Sequence, residues 1–216
     1  MTKITLPAAI FLLIGLSFEA HSLGQDQRSE LIKQLASDDP GQREEAFYKL
    51  RAVGVSQNDH ELKEALLNLL EREGRLIDGK LKKYDAEIGV SLGFGEGYTP
   101  YIADLGDTIA KYADFSDRRT LSVFLSVPYH QSSRFESKLL NQGDAAASIL
   151  IELSNHDIIY KRAEATDTLG VLLHRYRNRL SDEMVKLIKE ALNQRLIDGN
   201  TFIRRISFNI LERFRE

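Results

Sequence analysis

The histidines are the first residues to consider for metal or acid–base chemistry. No two of them have the H-E-x-x-H spacing that places two ring nitrogens on one metal, and the chain contains five: His21, His60, His130, His156 and His174. His156 lies at a predicted turn, where we expect a capping role. Because the chain has no cysteine, thiolate metal sites, disulfides and cysteine nucleophiles are excluded. The sequence therefore predicts no metal site and no cofactor.

A second candidate is a G-x-S-x-G string formed by Gly89, Ser91 and Gly93. In α/β-hydrolases this string lifts the serine above a parallel sheet at a strand–turn–helix elbow. Here a helical pattern precedes the string, a glycine-rich segment follows it, and no alternating strand pattern surrounds it. We therefore interpret the string as part of a loop and predict no catalytic residue.

The segment near 88–98 is a glycine-rich loop that also carries aromatic residues. Its backbone amides could hold a phosphate or carboxylate ahead of the helix that begins near Pro100, but the G-K-[ST] flank of a P-loop is missing. Phe94, Tyr98 and Tyr101 are interleaved with these glycines or follow them. Such side chains either anchor a binding partner or fold the loop back onto the domain, and both alternatives stay open.

The C-terminal third of the chain is mildly basic, although the whole chain has a net charge of −3. Lys161, Arg162, Arg204 and Arg205 fall on predicted helices. There they form either a basic stripe for an acidic protein segment or polyanion, or an ordinary solvated face. No nucleic-acid-binding module accompanies them, so we predict a protein or peptide partner, with Lys161 and Arg205 as contact residues, and no nucleic acid.

The N-terminus has the three-part pattern of a secretory signal peptide. Lys3 supplies the positive charge, an uncharged and mostly apolar run extends from Ile4 to Phe18, and small residues allow cleavage after Ser22 or Gly24. The run is shorter than the roughly 20 residues that span a bilayer. We therefore predict a signal peptide over 1–24, a periplasmic or secreted mature chain, and no stable membrane span after cleavage. An uncleaved anchor is the alternative.

Residues 25–216 have the hydrophobic period of helices. Apolar side chains recur at spacings of three and four, as in the stripe of Val185, Ile188, Leu192 and Leu196. Gly170 predicts a bend or an end of a helix. The pattern predicts an all-α chain with about five antiparallel helix pairs: 28–38 with 40–53, 59–85 with 98–113, 117–127 with 133–142, 144–155 with 158–177, and 181–197 with 200–215.

Internal repetition supports this pairing. The frame Arg-x-x-small-x-x-x-Leu starts at Arg43, Arg162 and Arg204. The pentapeptide Arg-Leu-Ile-Asp-Gly starts at Arg75 and again at Arg195. The first two copies of the frame and the two copies of the pentapeptide recur at an offset of roughly 120 residues, or three units of about 40, which indicates a helical repeat array.

The repeated positions resemble those of HEAT repeats. The resemblance covers 28–56 and 143–216, fades over 72–135, and is carried by cap, arginine, small and leucine positions: Asp39, Pro40, Arg43, Ala46, Leu50, Gly143, Asp157, Arg162, Ala165, Leu169 and Arg204. It implies an α-solenoid in which each helix pair stacks on the next. It also implies that Asp157 and Arg162 form hydrogen bonds that join successive turns.

The predicted fold and the predicted export together favour a non-enzymatic scaffold that binds a protein or peptide outside the cytoplasm. Some HEAT-like proteins are lyases, so an enzyme or enzyme subunit is one alternative, by analogy of fold alone. A self-assembling homo-oligomer is another, because the apolar stripe through Phe214 on the last predicted helix could stack end to end.

Overall fold

The computed structural model describes residues 24–55, 59–81, 99–127 and 133–214. The predicted signal peptide lies outside these residues except for Gly24, and so do the glycine-rich loop near 88–98, Phe94 and Tyr98. Within the described residues the chain is all-helical and contains no strand, which confirms the predicted all-α class.

The described residues form ten α-helices, whose bounds lie within a few residues of the predicted ones. The first five are α1 (Gln25–Leu35), α2 (Pro40–Val53), α3 (His60–Leu81), α4 (Pro100–Ala110) and α5 (Arg118–Phe124). The other five are α6 (Ser133–Asn141), α7 (Gly143–Leu153), α8 (Ile159–Arg175), α9 (Asp182–Arg195) and α10 (Thr201–Glu212). None of these helices combines the length and the apolarity that crossing a membrane requires.

Polar side chains set where several helices begin. The carboxylate of Asp39 accepts a hydrogen bond from the backbone N–H of Gly41 at 2.8 Å, and Pro40 follows as the first residue of α2. Thr99 caps α4 in the same way, since its hydroxyl accepts from the N–H of Ile102 at 3.2 Å. Each cap satisfies a backbone donor that has no partner inside its helix.

The helices pack in two rows that alternate along the chain. In the odd row each of α1, α3, α5 and α7 contacts the next odd-numbered helix. In the even row α2 contacts α4, α4 contacts α6, and α8 contacts α10. The two rows meet where consecutive helices pack, as α1 does with α2, α3 with α4, α7 with α8, and α9 with α10. The main contacts of α5 are with α3 and α7.

One hydrophobic core runs along these contacts. A single cluster of buried apolar side chains extends from Leu31 in α1 to Leu192 in α9. Leu66, Leu121 and Leu169 are fully shielded from solvent within it. Because an amphipathic helix must cover its apolar stripe, each helix here depends on its neighbours along the row and across it.

Two helical glycines mark places where elements approach closely. Gly170 lies inside α8, and a Cβ at this position would come within 2.4 Å of the Cδ1 atom of Ile210 on α10. The alternative of a helix end at Gly170 is therefore wrong, because α8 continues to Arg175. In α3, a Cβ at Gly74 would lie 2.7 Å from the Cβ of Ser126. Both glycines serve packing between helices.

Candidate binding surface

Three arginines at equivalent positions tie the start of an even-row helix to the loop before it. Arg43, Arg162 and Arg204 each donate from Nη1 to the carbonyl oxygen six residues earlier, at 3.0, 2.6 and 2.6 Å. For Arg162 that oxygen belongs to His156, and a second bond of 3.3 Å reaches the carbonyl of Asp157. Asp157 thus takes part through its backbone, while its side chain is exposed.

In two of these junctions the arginine also pairs with a carboxylate from a later part of the chain. The Nε of Arg43 donates to Glu73 in α3 at 2.8 Å, and that of Arg162 donates to Asp198, in the loop before α10, at 2.9 Å. The Arg43 side chain is 2% exposed and that of Asp198 4%. A buried charge is tolerated only when it is paired and hydrogen-bonded, so these four side chains depend on one another.

Two further arginines, both on odd-row helices, bond to the residue that follows the preceding odd-row helix. Arg72 of α3 donates from Nη1 to the carbonyl oxygen of Ala36 at 2.8 Å, and Arg195 of α9 donates to that of Ser154 at 3.0 Å. Ala36 directly follows α1, and Ser154 directly follows α7. The junction of α1 and α2 with α3 is therefore built like the junction of α7 and α8 with α9.

Asp198 accepts several hydrogen bonds in the junction of α7 and α8 with α9, which we call the second junction. Besides the contact with Arg162, it accepts from Arg195 at 3.3 Å and from the backbone N–H of Asn200 at 2.9 Å. Burial raises the pKa of this carboxyl, whereas the hydrogen bonds from Arg162 and Asn200 lower it. The lowering effects together are larger, so the pKa lies below its ordinary value. The charged form of Asp198 is the one that holds these elements together.

The remaining repeat positions lie in the core. Ala46, Ala165 and Ser207, which occupy the small position of the frame, are all 0% exposed, and Leu50 and Leu169 are buried beside the first two. A larger side chain at the small position has no room, because the interior is close-packed.

Gly143 has a different reason for being glycine. It is the first residue of α7 and has a φ of +47°, in the region that favours glycine. A Cβ at Gly143 would also lie 2.8 Å from the carbonyl oxygen of Arg179. Both the backbone conformation and the close approach exclude a side chain at this position.

Tyr101, predicted as a partner contact, belongs to the core. The residue is 9% exposed, and its ring packs edge-on against Phe47 with the centroids 5.6 Å apart. Its hydroxyl is buried and has no hydrogen-bond partner within the described part of the chain. Burial raises the pKa of this phenol well above its ordinary value. Tyr101 is thus a packing residue of α4, in agreement with the second of the two alternatives left open for it.

Three of the four basic residues predicted for a C-terminal stripe are engaged within the fold. Arg162 and Arg204 are engaged in the junctions, and the Nζ of Lys161 donates to the hydroxyl of Ser122 in α5 at 3.0 Å. Arg205 is exposed, with its guanidinium 5.5 Å from the centroid of the Phe202 ring. Of the predicted partner contacts within the described residues, Arg205 is the one whose charge faces solvent.

A groove opens between α1 and α3 in the odd row, with a volume of about 670 Å³. From α1 it is lined by Ile32, Lys33, Leu35 and Ala36. From α3 it is lined by Ala65, Asn68, Leu69, Arg72 and Arg75. Leu76, which is 48% exposed, follows these residues along α3. The nine lining residues, without Leu76, define the α1–α3 groove.

The rim of the α1–α3 groove is basic, because three of the described residues that line it are cationic and none of them is acidic. Lys33 is exposed and forms no ion pair with any residue that the structure describes. The Arg75 side chain is 73% exposed and lies 3.9 Å from Glu71. Arg72 is paired with Asp38 at 2.6 Å. An apolar floor and a cationic rim therefore occur together.

Contacts at both ends hold α1 and α3 side by side. Near the start of both helices, Arg28 donates to the carboxylates of Asp59 and, at 2.7 Å, Glu61. At the other end, Arg72 donates to the carbonyl of Ala36. The start of α1 thus lies beside the start of α3, so the two helices run in the same direction and the groove between them is preformed.

The α1–α3 groove was not among the predicted binding features. One signal for it was present in the predicted lengths, because 59–85 is much longer than 28–38. The apolar stripe of Leu62, Leu66 and Leu69 continues to Leu76, beyond the end of α1. Where the apolar stripe of α3 extends beyond the end of α1, that helix no longer covers it, and apolar surface stays open to another molecule.

Within the described residues, no group of three or more His, Cys, Asp or Glu side chains could hold a metal ion. The chain matches no protein-family model, no curated protein and no solved structure.

Proposed function

We propose that this chain is an exported α-solenoid of about five HEAT-like helix pairs that acts as a non-enzymatic scaffold for a protein or peptide. The observation that carries the binding role is the α1–α3 groove. It is concave, has an apolar floor, and lies between two helices whose ends are fixed by ion pairs. Preformed apolar concavities with a few polar groups at their edge are the usual form of a binding site.

Two features support the solenoid. The first is the division into an odd and an even row, in which helices pack on the next helix of the same row, as stacked helix pairs do. The second is the pair of equivalent junctions, Arg43 with Glu73 and Arg162 with Asp198. Similar bonds at two distant places are expected when one structural unit is repeated along a chain.

The export part of the proposal rests on the sequence. Lys3, the apolar run Ile4–Phe18 and the small residues before Leu23 and Gln25 fit a signal peptide that is removed after Ser22 or Gly24. A cysteine-free chain is compatible with an oxidising compartment, because it has no thiol to be oxidised there.

Cross-linking in the native host tests this function. The tagged full-length chain is cross-linked mildly with a lysine-reactive reagent, affinity-purified and analysed by mass spectrometry. We expect a mature N-terminus at Leu23 or Gln25 and one partner in stoichiometric amount, cross-linked to surface lysines of this chain. An intact Met1 in the cytosolic fraction would refute export, and recovery of the processed chain alone would refute the scaffold role.

Self-assembly is a second candidate, favoured by one side chain of α10. The residue after the small position of the frame is Phe47 in α2, Thr166 in α8 and Phe208 in α10. The first two are 0% exposed, whereas Phe208 is 49% exposed. A further helix packed on α10 would cover Phe208 as its equivalents are covered. Light scattering distinguishes the candidates, since a strict monomer at micromolar concentration removes self-assembly.

A further inference from the structure

The chemistry of the α1–α3 groove points to one class of occupant. We infer that it binds an amphipathic helical segment of a partner protein, apolar on one face and acidic along its edges. This inference rests on the proposed scaffold function and specifies its partner. The shape, the backbone requirements and the charge of the groove each contribute to it.

The shape fits a helix. α1 and α3 run in the same direction and are joined at both ends of the groove, so they present two parallel ridges with a channel between them. Along α3, the lining extends from Ala65 to Arg75, which corresponds to roughly 15 Å at 1.5 Å per residue. That length accommodates about three turns of a third helix.

Backbone hydrogen bonding favours a helix over an extended segment. An extended peptide needs partners for its N–H and C=O groups, and those that face an apolar floor stay unsatisfied. The floor is formed by aliphatic side chains, with Ile32 and Leu69 among them, and among the described lining residues Asn68 alone has an amide side chain. A helix satisfies its own backbone and needs from the groove only apolar contact, as in other helix-in-groove complexes.

The charge of the rim selects an acidic partner. Lys33, Arg72 and Arg75 line the groove, and none of the other described lining residues carries a carboxylate. Lys33 and Arg75 are the two of these cations that are most open to solvent. The rest of the molecule is not basic, since the whole chain has a net charge of −3. Glutamates or aspartates at the edges of a bound helix would meet these cations and fix the orientation of the helix.

Selection from a random peptide library tests the inference, because the groove itself then chooses the sequences that it binds. A displayed library of peptides of about 15 residues, long enough to form a helix when bound, is selected on the purified full-length chain. The enriched peptides are then synthesised with a fluorophore. Their dissociation constants are measured by fluorescence anisotropy against the wild-type chain and against three variants.

The first variant, Lys33→Glu with Arg75→Glu, reverses the rim. The second, Lys49→Glu with Lys186→Glu, changes the net charge equally on α2 and α9 and is the matched control. The third, Leu76→Gln, removes apolar surface and leaves the charges unchanged. Lys33 and Arg75 line the groove, Leu76 follows Arg75 along α3, and Lys49 and Lys186 lie on other helices. All five side chains are exposed, so each variant should fold; circular dichroism and thermal unfolding verify this.

We expect enriched peptides with apolar residues three and four positions apart and acidic residues beside them. The rim reversal should weaken their binding about tenfold or more, Leu76→Gln should weaken it measurably, and the control should leave it within about twofold. No enrichment, basic peptides, or equal binding to the rim-reversed chain would overturn the inference. In the native host, a partner cross-linked away from Lys33 would overturn the groove assignment but leave the scaffold function standing, whereas no partner at all would remove the function.

Discussion

The Nε of Arg162 lies 2.9 Å from Oδ2 of Asp198, and this contact joins α8 to the loop that precedes α10. The same arginine also holds the loop before its own helix through the carbonyl of His156. One side chain therefore connects three parts of the fold. Arg43 occupies the equivalent position near the other end of the chain, with Glu73 as its carboxylate.

Removing the charge of Asp198 should destabilise the fold strongly. In Asp198→Asn, the guanidinium groups of Arg162 and Arg195 lose their anion in a buried place, which costs about 3 kcal/mol of unfolding free energy. Denaturant unfolding followed by circular dichroism measures the loss. Asp157→Asn is the matched control, because that side chain is exposed, and it should change stability by less than about 0.5 kcal/mol. Equal effects of the two substitutions would show that the junction contributes little.

The first junction should behave like the second and independently of it. Glu73→Gln removes the carboxylate that pairs with Arg43, so we expect a destabilisation of the same order as in Asp198→Asn. Because the two sites share no partner, the double variant should lose the sum of the single losses within about 0.5 kcal/mol. A Glu73→Gln chain as stable as the wild type would contradict the equivalence of the two junctions.

A methyl group at Gly74 should be unfavourable although alanine is the better helix former. The added Cβ would lie 2.7 Å from the Cβ of Ser126 and 3.2 Å from its carbonyl oxygen, so backbone must move. Overpacking of this kind costs about 1–3 kcal/mol and outweighs the gain in helix propensity. Gly199→Ala is the control, since nothing lies within 4 Å of a Cβ there. Thermal unfolding measures the stability of both variants. A Gly74→Ala chain that is more stable than the wild type would refute the close contact.

His156 should make the stability depend on pH. Its Nδ1 accepts a hydrogen bond from the N–H of Ile158 at 3.0 Å, which requires an unprotonated Nδ1. Burial lowers the pKa of His156 below its ordinary value of 6.5, and the charge of Lys161 lowers it further, with smaller effects of Arg118 and Arg162 that Asp157 partly opposes. The contribution of His156 is therefore complete above pH 6.5 and is lost as the pH falls below it, because the unfolded chain then binds the proton more readily.

His156→Asn provides the measurement for that dependence. The asparagine side chain keeps an acceptor for the N–H of Ile158 but does not titrate in this range. Between about pH 7.5 and pH 5.5 the wild type should lose more unfolding free energy than the variant. Parallel losses in both chains would contradict a contribution of His156 to the pH dependence.

The packing of Tyr101 in the core can be tested by two substitutions. Its hydroxyl is buried without a partner among the described residues, so Tyr101→Phe should be neutral or stabilise the chain by up to about 1 kcal/mol. Tyr101→Ala should cost roughly 3–5 kcal/mol, because it leaves a cavity beside Phe47. If both variants unfold like the wild type, the ring does not pack in the core.

Local signals explain why the helices could be predicted. Asp39 and Thr99 stand directly before prolines, and each cap acts on backbone groups two or three residues away. The apolar spacing that predicts a helix is equally local. For these reasons the sequence alone is enough to predict the ten helices and their approximate ends.

The repeated pentapeptide shows the limit of such reasoning. Residues 75–79 lie inside α3, whereas Arg195 is the last residue of α9 and the following residues form the loop with Asp198. The counterpart of Arg195 is Arg72, since both donate to the carbonyl that follows the preceding odd-row helix. The two identical pentapeptides thus occupy different structural positions, because α3 is longer than α9 and its equivalent positions are offset in sequence.

The binding surface was harder to predict than the helices. Lys161 contacts Ser122 and Tyr101 packs against Phe47, and both of these neighbours come from other helices. The α1–α3 groove likewise depends on two helices that α2 separates in sequence. Which apolar residues stay open is decided by packing between distant segments, and spacing along one helix does not report it.

Partner recovery by groove variants tests the central claim most directly. The tagged wild type, the Lys33→Glu/Arg75→Glu chain and the Lys49→Glu/Lys186→Glu control are expressed in the native host, and co-purified proteins are quantified by mass spectrometry. We expect one partner with the wild type and the control, and its loss, by about tenfold or more, from the rim-reversed chain. Equal recovery by all three chains would contradict binding through the α1–α3 groove, and no partner with the wild type would contradict the scaffold function itself.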